Sequence, residues 1–412
     1  AAASRGIIGT REPKNFCRIG AWALAYPRLD LTMKKIFIIA GEPSGDVLGG
    51  RLMQAMKAQR DDLEFSGIGG PRMAEAGLTS QFPMQELAVM GLAEILPRLL
   101  PLRRRIRETV AAIAAAGPDI LVTIDSPGFC LRVLKAVQTL GLKRVHYVAP
   151  QVWAWRQKRV KSYPGLWDEL LCLLPFEPAF FAKHHLHANF VGHPVLESGA
   201  GEGVAERFFA THKILRGATP VVILPGSRVT ETSRLMPVFR ETMARLQLQI
   251  PNLVPVLAAA PGIADAAAEM VADWQVEPII VRTEAARYDA FAAAKAALTK
   301  SGTSTLELAM AGVPMAVTYR VNPLSGAIGR RVIKVPYVAM INLLTNRELV
   351  PELLQQDCTP EKLAATLQIL LSDPAAAAAQ RDGFADALAS LQLPGTVPST
   401  AAATAILKHL IQ

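Results

Sequence analysis

Four cysteines in a chain of 412 residues, no two of them in a C-x-x-C pair, leave nothing from which to build a disulfide framework or a zinc ribbon. Cys17, Cys130, Cys172 and Cys358 fit a reducing cytosol instead. A run long enough to cross a bilayer is missing too. The longest uncharged stretch, Leu246 to Ala264, is broken by Pro251, Pro255 and Pro261 and carries Gln247, Gln249 and Asn252, so no spanning helix is predicted. There is no G-x-G-x-x-G, and no Gly-Lys-Ser/Thr to close a phosphate loop, which removes the main support for a nicotinamide or ATP site. Metal patterns fare no better: D-x-D and H-E-x-x-H are absent, and His184, His185 and His187 lack a matching ligand set and read as a polar helix end. Neither a metal nor a cofactor is expected.

Charged residues make up only 19% of the chain, too few for a disordered or coiled-coil protein, while 51% hydrophobic residues supply more than one packed core. At this length two domains with a cleft between them are expected. Lys and Arg outnumber Asp and Glu by 44 to 35, an excess of nine, which favours phosphates, nucleotides or anionic lipid head groups. Nucleic acid is not the expected partner, because no helix-turn-helix cue and no interleaved aromatic and basic pattern accompany the charge.

From Met33 onward short apolar runs alternate with helical patterns, the grammar of parallel βαβ units. Strands are predicted at Lys35–Ala40, Ile120–Ile124 and Arg144–Val148. The pattern restarts at Val221–Leu224, Leu253–Ala258, Ile279–Val281, Ala296–Thr299 and Met315–Thr318. The fold class is therefore α/β, two doubly wound Rossmann-like domains facing across a cleft. The first spans 33–197 and the second 198–385, with a Gly-rich hinge at 192–203. A helical tail, 386–412, is expected to pack on either domain. Residues 1–32 hold no apolar signal-peptide core and are expected to be an extension outside the fold; their five basic residues against two acids leave a transit-like role as the alternative.

Chemistry is expected at the strand ends, where ligands gather in such sheets. After the first strand comes Gly41-Glu42-Pro43-Ser44-Gly45-Asp46, with Asp46 placed to cap the helix and Glu42 either a substrate contact or a turn residue. After another comes Asp125 in Ile124-Asp125-Ser126-Pro127, read as a general base or as a helix cap. Trp153, Trp155 and Arg156 can hold a sugar or lipid phosphate, or wedge the domains together. In the second half Gly226, Ser227 and Arg228, followed by Glu231, form a turn and helix start suited to a diphosphate. Ser301, Gly302 and Thr303 repeat that arrangement, with Glu307 one turn inside and placed to accept ribose hydroxyls. His193 reads as structural.

One more segment departs from ordinary patterning. Ile95, Leu96, Leu99 and Leu102 stand next to Arg103, Arg104, Arg105 and Arg107, with Pro97 and Pro101 expected to interrupt a simple buried helix. The pairing marks either a membrane-surface element or a core helix with a solvated face.

A pair of Rossmann-like domains, the C-terminal one carrying a nucleotide-diphosphate site, resembles a GT-B glycosyltransferase. GEPSGD at 41–46, GIGGPRM at 67–73, ELAVMG at 86–91, ID-x-P at 124–127, VWAWR at 152–156, LPFE at 174–177, GHP at 192–194, LPGSR with Glu231, SGT-x-x-LE at 301–307 and NLL-x-x-RELVPELLQ from Asn342 follow one another from Met33 to about Asp373. Together they resemble the lipid-A-disaccharide synthase family. The resemblance implies a UDP-activated 2,3-diacylglucosamine donor, a 2,3-diacylglucosamine 1-phosphate acceptor, and a β-1,6-linked disaccharide 1-phosphate with UDP as products. It implies inversion without a metal, with Asp125 as base, Glu42 as its neighbouring acid, Arg228 and nearby N–H groups on the diphosphate, Glu307 at the ribose and Asn342 in the nucleotide stretch. It also implies a cytoplasmic enzyme held peripherally at the inner membrane through the Ile95–Arg105 cluster, and leaves a homodimer open. The chain departs from the family after ID-x-P, where Gly128 and Cys130 flank Phe129 in place of the usual Asp and Asn. Two rival readings are another UDP-sugar GT-B enzyme and a non-catalytic, membrane-peripheral nucleotide-sugar binding protein.

Overall fold

A computed structural model describes residues 33–87, 95–215, 217–322 and 333–410, without the side chains of 95–99 and 261. The first sheet contains β1 (Lys34–Ala40), β2 (Leu63–Ile68), β3 (Ile120–Ile124), β4 (Lys143–Tyr147), β5 (Glu169–Cys172) and β6 (Ala188–Phe190). The second contains β7 (Thr219–Leu224), β8 (Leu253–Ala258), β9 (Ile279–Val281), β10 (Ala296–Lys300), β11 (Met315–Tyr319) and β12 (Glu352–Leu354). Their spatial orders are β2-β1-β3-β4-β5-β6 and β12-β11-β10-β7-β8-β9. All ten strand pairings are parallel. The longer central strands are apolar along nearly their whole length because helices cover both faces: in β3, Ile-Leu-Val-Thr-Ile is buried throughout.

Each sheet has one place where the strand order reverses. In the first it lies between β1 and β3, in the second between β7 and β10. Loops leaving such neighbours diverge to opposite faces and open a crevice at the strands' carboxyl ends, the usual ligand position in this architecture.

Four strands escaped the sequence pattern: β2, β5, β6 and β12. The last three have only three or four residues, and β2 mixes buried and partly exposed positions, so none makes a periodic apolar run. Pro97 and Pro101 do not interrupt the helix they were expected to break. One helix runs Ile95–Ala116, with Pro97 in its first turn, where no N–H partner is lost, and Pro101 inside.

The chain crosses between the domains twice, and the crossings bind each other. The His193 N–H donates to the Leu391 carbonyl at 3.0 Å, and the Ser399 N–H donates to the Glu197 carboxylate at 2.9 Å. Phe384, Ala387 and Leu391 belong to the second domain's core. Beyond the return crossing, the helix Pro398–Leu407 places Ala402, Ala403 and Ile406 in the core of the first. His409 then closes on Glu169 of β5 at 2.6 Å.

Candidate active site

The loops after β1 and β3 are packed against each other. A Cβ on Gly41 would come within 2.5 Å of Ser126 Oγ, so this position has room only for glycine. Glu42 occupies the N-cap of the helix Pro43–Gln59 in extended conformation, yet its carboxylate makes no capping bond. Asp46, expected to cap that helix, lies inside its first turn instead. Its carboxylate accepts N–H groups from Gly70 at 2.7 Å, Arg72 at 3.0 Å and Met73 at 3.0 Å. The GEPSGD and GIGGPRM motifs are thus one structural unit, in which the first supplies the cap for the short helix beginning at Pro71.

Asp125 and Ser126 both adopt left-handed backbone conformation, with φ of 48° and 45°. Ser126, not Asp125, is the N-cap residue of the following helix Pro127–Ala136, which leaves the Asp125 carboxylate to face the cleft. Val148, at the end of β4 and also on the cleft wall, has φ of 77°, costly for a β-branched residue. Three strained residues at adjacent strand ends mark the region where the fold is spent on positioning rather than stability.

Burial sets the electrostatics here. Desolvation, and then the charge of Asp125, push Glu42 up to about 7, against a smaller opposing pull from Arg228. Asp125 is raised chiefly by burial, offset by the Ser126 N–H. That Arg228 acts on Glu42 at all places a cation of the second domain opposite an acid of the first. Cys130, one of the two residues departing from the family pattern, is wholly buried behind these acids. Burial and their charges push its thiol upward, so it is an inert packing group.

On the other side, Gly226 turns the chain with φ of 119°, and Ser227 and Arg228 lie exposed at the start of the helix Val229–Gln249. Glu231 ties this turn together. Its Oε1 accepts from Arg228 at 3.3 Å and pairs with Lys300 at 3.2 Å. At the end of β10, Gly302 and Thr303 are exposed, but the Ser301 N–H already donates to the Thr318 carbonyl at 3.0 Å and its hydroxyl to Val338 at 2.8 Å. Ser301 therefore shapes the turn and does not offer its N–H to a ligand. Glu307 lines the cleft, where Arg287 and the Tyr288 hydroxyl donate to its Oε1 at 3.0 and 3.3 Å. Burial raises its pKa, and Arg287 opposes that rise.

Asn342 is not brought to the site. It is fully buried, and its amide is consumed internally: Nδ2 donates to Val350 O and Glu352 Oε1, both at 2.8 Å, and Oδ1 accepts from Leu349 N and Val350 N, both at 2.9 Å. It braces the loop before β12.

Between the two sides lies a cavity of about 330 Å³. Ser44, Arg51 and Asp125 reach it from the first domain, Glu284, Thr303 and Glu307 from the second. Among its lining residues, sequence reading missed Arg51 and did not single out Glu177 within the LPFE motif. Ser44, Val47, Leu48 and Arg51 follow helical spacing on one face, a signal available in the sequence once the helix start is known. Glu177 is pushed up to about 7 by burial, although Trp153 Nε1 donates to it at 2.9 Å and the N–H groups of Leu173 and Leu174 at 3.1 and 3.0 Å. Trp153 is the wedge: buried, edge-on to Phe176, in a core shared with the second domain. Trp155 is exposed, with the Arg156 guanidinium 4.1 Å above its ring. His193 is buried beside the cleft, held well down to about 4 by desolvation, and its Nδ1 accepts the Val195 N–H.

The expected surface cluster resolves differently. Leu102 packs toward the first domain's core, and Arg105 is tied to Glu86 at 2.5 Å, to Glu108 at 2.7 Å and over the Phe82 ring at 4.4 Å. Both face inward because they share a helix face with Ile106 and Thr109. Leu100, 77% exposed, stands outside with Arg103, Arg104 and Arg107, the i, i+3, i+4, i+7 positions of the opposite face. The side chains of Ile95, Leu96 and Leu99 lie outside the described residues.

Two parallel six-stranded domains whose reversal points face each other define a GT-B fold. Solved structures share it. A UDP complex of MnaA from S. aureus superposes with a TM-score of 0.58 over 92% of this chain and 96% of that one, at 13% identity. The spinosyn rhamnosyltransferase SpnG with thymidine diphosphate gives 0.57 over 92% and 100%, at 15%. Residues 36–404 match the family model described as lipid-A-disaccharide synthetase. The curated lipid-A-disaccharide synthase of Granulibacter bethesdensis is 54% identical over 93% of this chain and all of its own length, and that of Gluconobacter oxydans 57% over 91% and 90%. The chain belongs to the lipid-A-disaccharide synthase family, and is a glycosyltransferase.

Proposed function

We propose that the cleft performs an inverting, metal-independent transfer of 2,3-diacylglucosamine from its UDP derivative to the 6-hydroxyl of 2,3-diacylglucosamine 1-phosphate. The acceptor oxygen attacks the anomeric carbon from the face opposite UDP. As the new C–O bond forms, the bond to the β-phosphate oxygen breaks and its electron pair leaves with UDP. One carboxylate base suffices for this single displacement, as in inverting hydrolases, where it activates water.

Asp125 takes the hydroxyl proton. Burial raises its proton affinity, which strengthens it as a base. Glu42 holds its proton up to about 7, which limits the negative charge beside Asp125 below that pH. Arg228, with the turn at Gly226 and Ser227 and the exposed loop at Gly302 and Thr303, receives the diphosphate. Glu307, oriented by Arg287 and Tyr288, accepts the ribose hydroxyls. The observation that carries this reading is that Asp125 of the first domain and Thr303 and Glu307 of the second line one cavity, with Glu42 close enough to feel the charges of both Asp125 and Arg228.

Both substrates are acylated, and no described helix is long and apolar enough to span a bilayer. The face made by Leu100, Arg103, Arg104 and Arg107 supports a peripheral contact with an anionic inner-membrane surface.

The test is a detergent-micelle assay with both acylated substrates and EDTA, reading UDP release and product mass. Disaccharide is expected from the native chain, and Asp125→Asn is expected to lose about 10³-fold in kcat, within the range for a removed general base. UDP binding without product from either chain would overturn the catalytic reading.

A further inference from the structure

The donor-side reversal point holds a second cation, Lys300, at the last position of β10. Its side chain is only 18% exposed, and its ammonium stands 3.2 Å from Glu231 Oε1, the oxygen that also receives Arg228 at 3.3 Å. The stem lies against the Gly226 turn, where a Cβ would meet Lys300 Cδ at 3.4 Å, and the ammonium lies 5.2 Å from the centre of the Tyr319 ring. Lys300 therefore reaches from β10 across to the turn after β7. Glu231 is buried, and its second oxygen, Oε2, has no hydrogen-bond partner. One carboxylate thus holds two cations through a single oxygen at the entrance of the 21-residue helix Val229–Gln249. A buried acid so placed fixes the direction of both cations.

We infer that Lys300 is the second cation on the donor's diphosphate, and that Glu231 is the positioning residue that aims Lys300 and Arg228 at it. This rests on the donor-site reading above. When the anomeric bond breaks, the electron pair passes to the β-phosphate oxygen, and two fixed cations stabilise that charge before it is protonated in solvent.

The experiment compares UDP and uridine as inhibitors of the full-length enzyme. Lys300→Met is expected to weaken inhibition by UDP about tenfold and leave uridine unchanged, because only UDP carries the diphosphate. Lys300→Arg is expected to restore most of the loss, and Glu231→Gln to weaken UDP with uridine again unchanged. Lys300→Gln replaces the Met variant if that one does not fold. UDP inhibition unaltered in Lys300→Met, or UDP and uridine weakened equally, overturns the inference. Arg228→Ala separates the two levels: if it weakens UDP while Lys300→Met does not, only the role of Lys300 fails. If neither variant touches UDP, the donor-site reading fails with it.

Discussion

The two reversal points share a frame and differ in charge. On the first domain, the loops after β1 and β3 present Glu42 and Asp125, acids raised by burial, on a backbone that includes two consecutive non-glycine residues at positive φ. On the second, the turn after β7 and the end of β10 present Arg228 and Lys300, both held by Glu231. One side desolvates its acids and so keeps them basic. The other surrounds an acid with cations and so keeps them aimed. A displacement between a hydroxyl and a departing diphosphate needs that asymmetry, with proton affinity where the nucleophile enters and positive charge where the leaving group departs.

The largest break in the comparison is expected from Asp125→Asn, which removes the proposed base and leaves the donor side intact: kcat should fall about 10³-fold while UDP still binds. Glu42→Gln is milder, because glutamine copies the protonated form that Glu42 holds below about pH 7. An activity loss of about tenfold is expected, and Glu42→Ala should lose more. The same variant reports on stability. Glu42 has its folded-state value raised from 4.5 to about 7, so its contribution is fully present below pH 4.5 and is lost as pH rises through 7. The melting temperature of Glu42→Gln should therefore exceed that of the native chain by a growing margin between pH 5 and about pH 8. An equal margin at both ends of that range would show that Glu42 titrates normally.

Much of this was legible because strands write themselves as apolar runs and the residue after a run is readable. Glu42, Asp125 and Arg228 sit at such ends or within a turn of them, and Glu307 lies in the first turn of the helix that follows β10. What failed to show involved partners distant in sequence. Asp46 lies in a helix's first turn, and nothing local reveals that its partners are Gly70, Arg72 and Met73. Asn342 stands in a stretch full of polar residues, and its four bonds form only once the chain doubles back at Leu349 to Glu352. Asn342→Ala should thus leave UDP inhibition within about threefold of native while costing about 2–4 kcal/mol in stability, as buried partners are left unmatched. A weaker donor with an unchanged melting temperature would restore Asn342 to the nucleotide site.

The smallest expected effect belongs to the outer face of the first domain, where the acid side of the cleft gives way to exposed arginines. On the helix Ile95–Ala116, Leu100 points outward and Leu102 inward, two residues apart, so the same substitution should act in different ways at each. Leu100→Glu leaves the fold untouched and removes an apolar contact beside three basic groups, each worth about 1 kcal/mol at an anionic surface. Sedimentation with phosphatidylglycerol vesicles should fall about fivefold, while turnover in detergent micelles, where no anionic surface is needed, stays near native. Leu102→Glu instead places a charge against Ile106 and the packed side of that helix, so it should lower the melting temperature and reduce vesicle and micelle activity together. If Leu100→Glu sediments as the native chain does, the arginine face is only a solvated surface, and the lipid substrates reach the cleft without help from this helix.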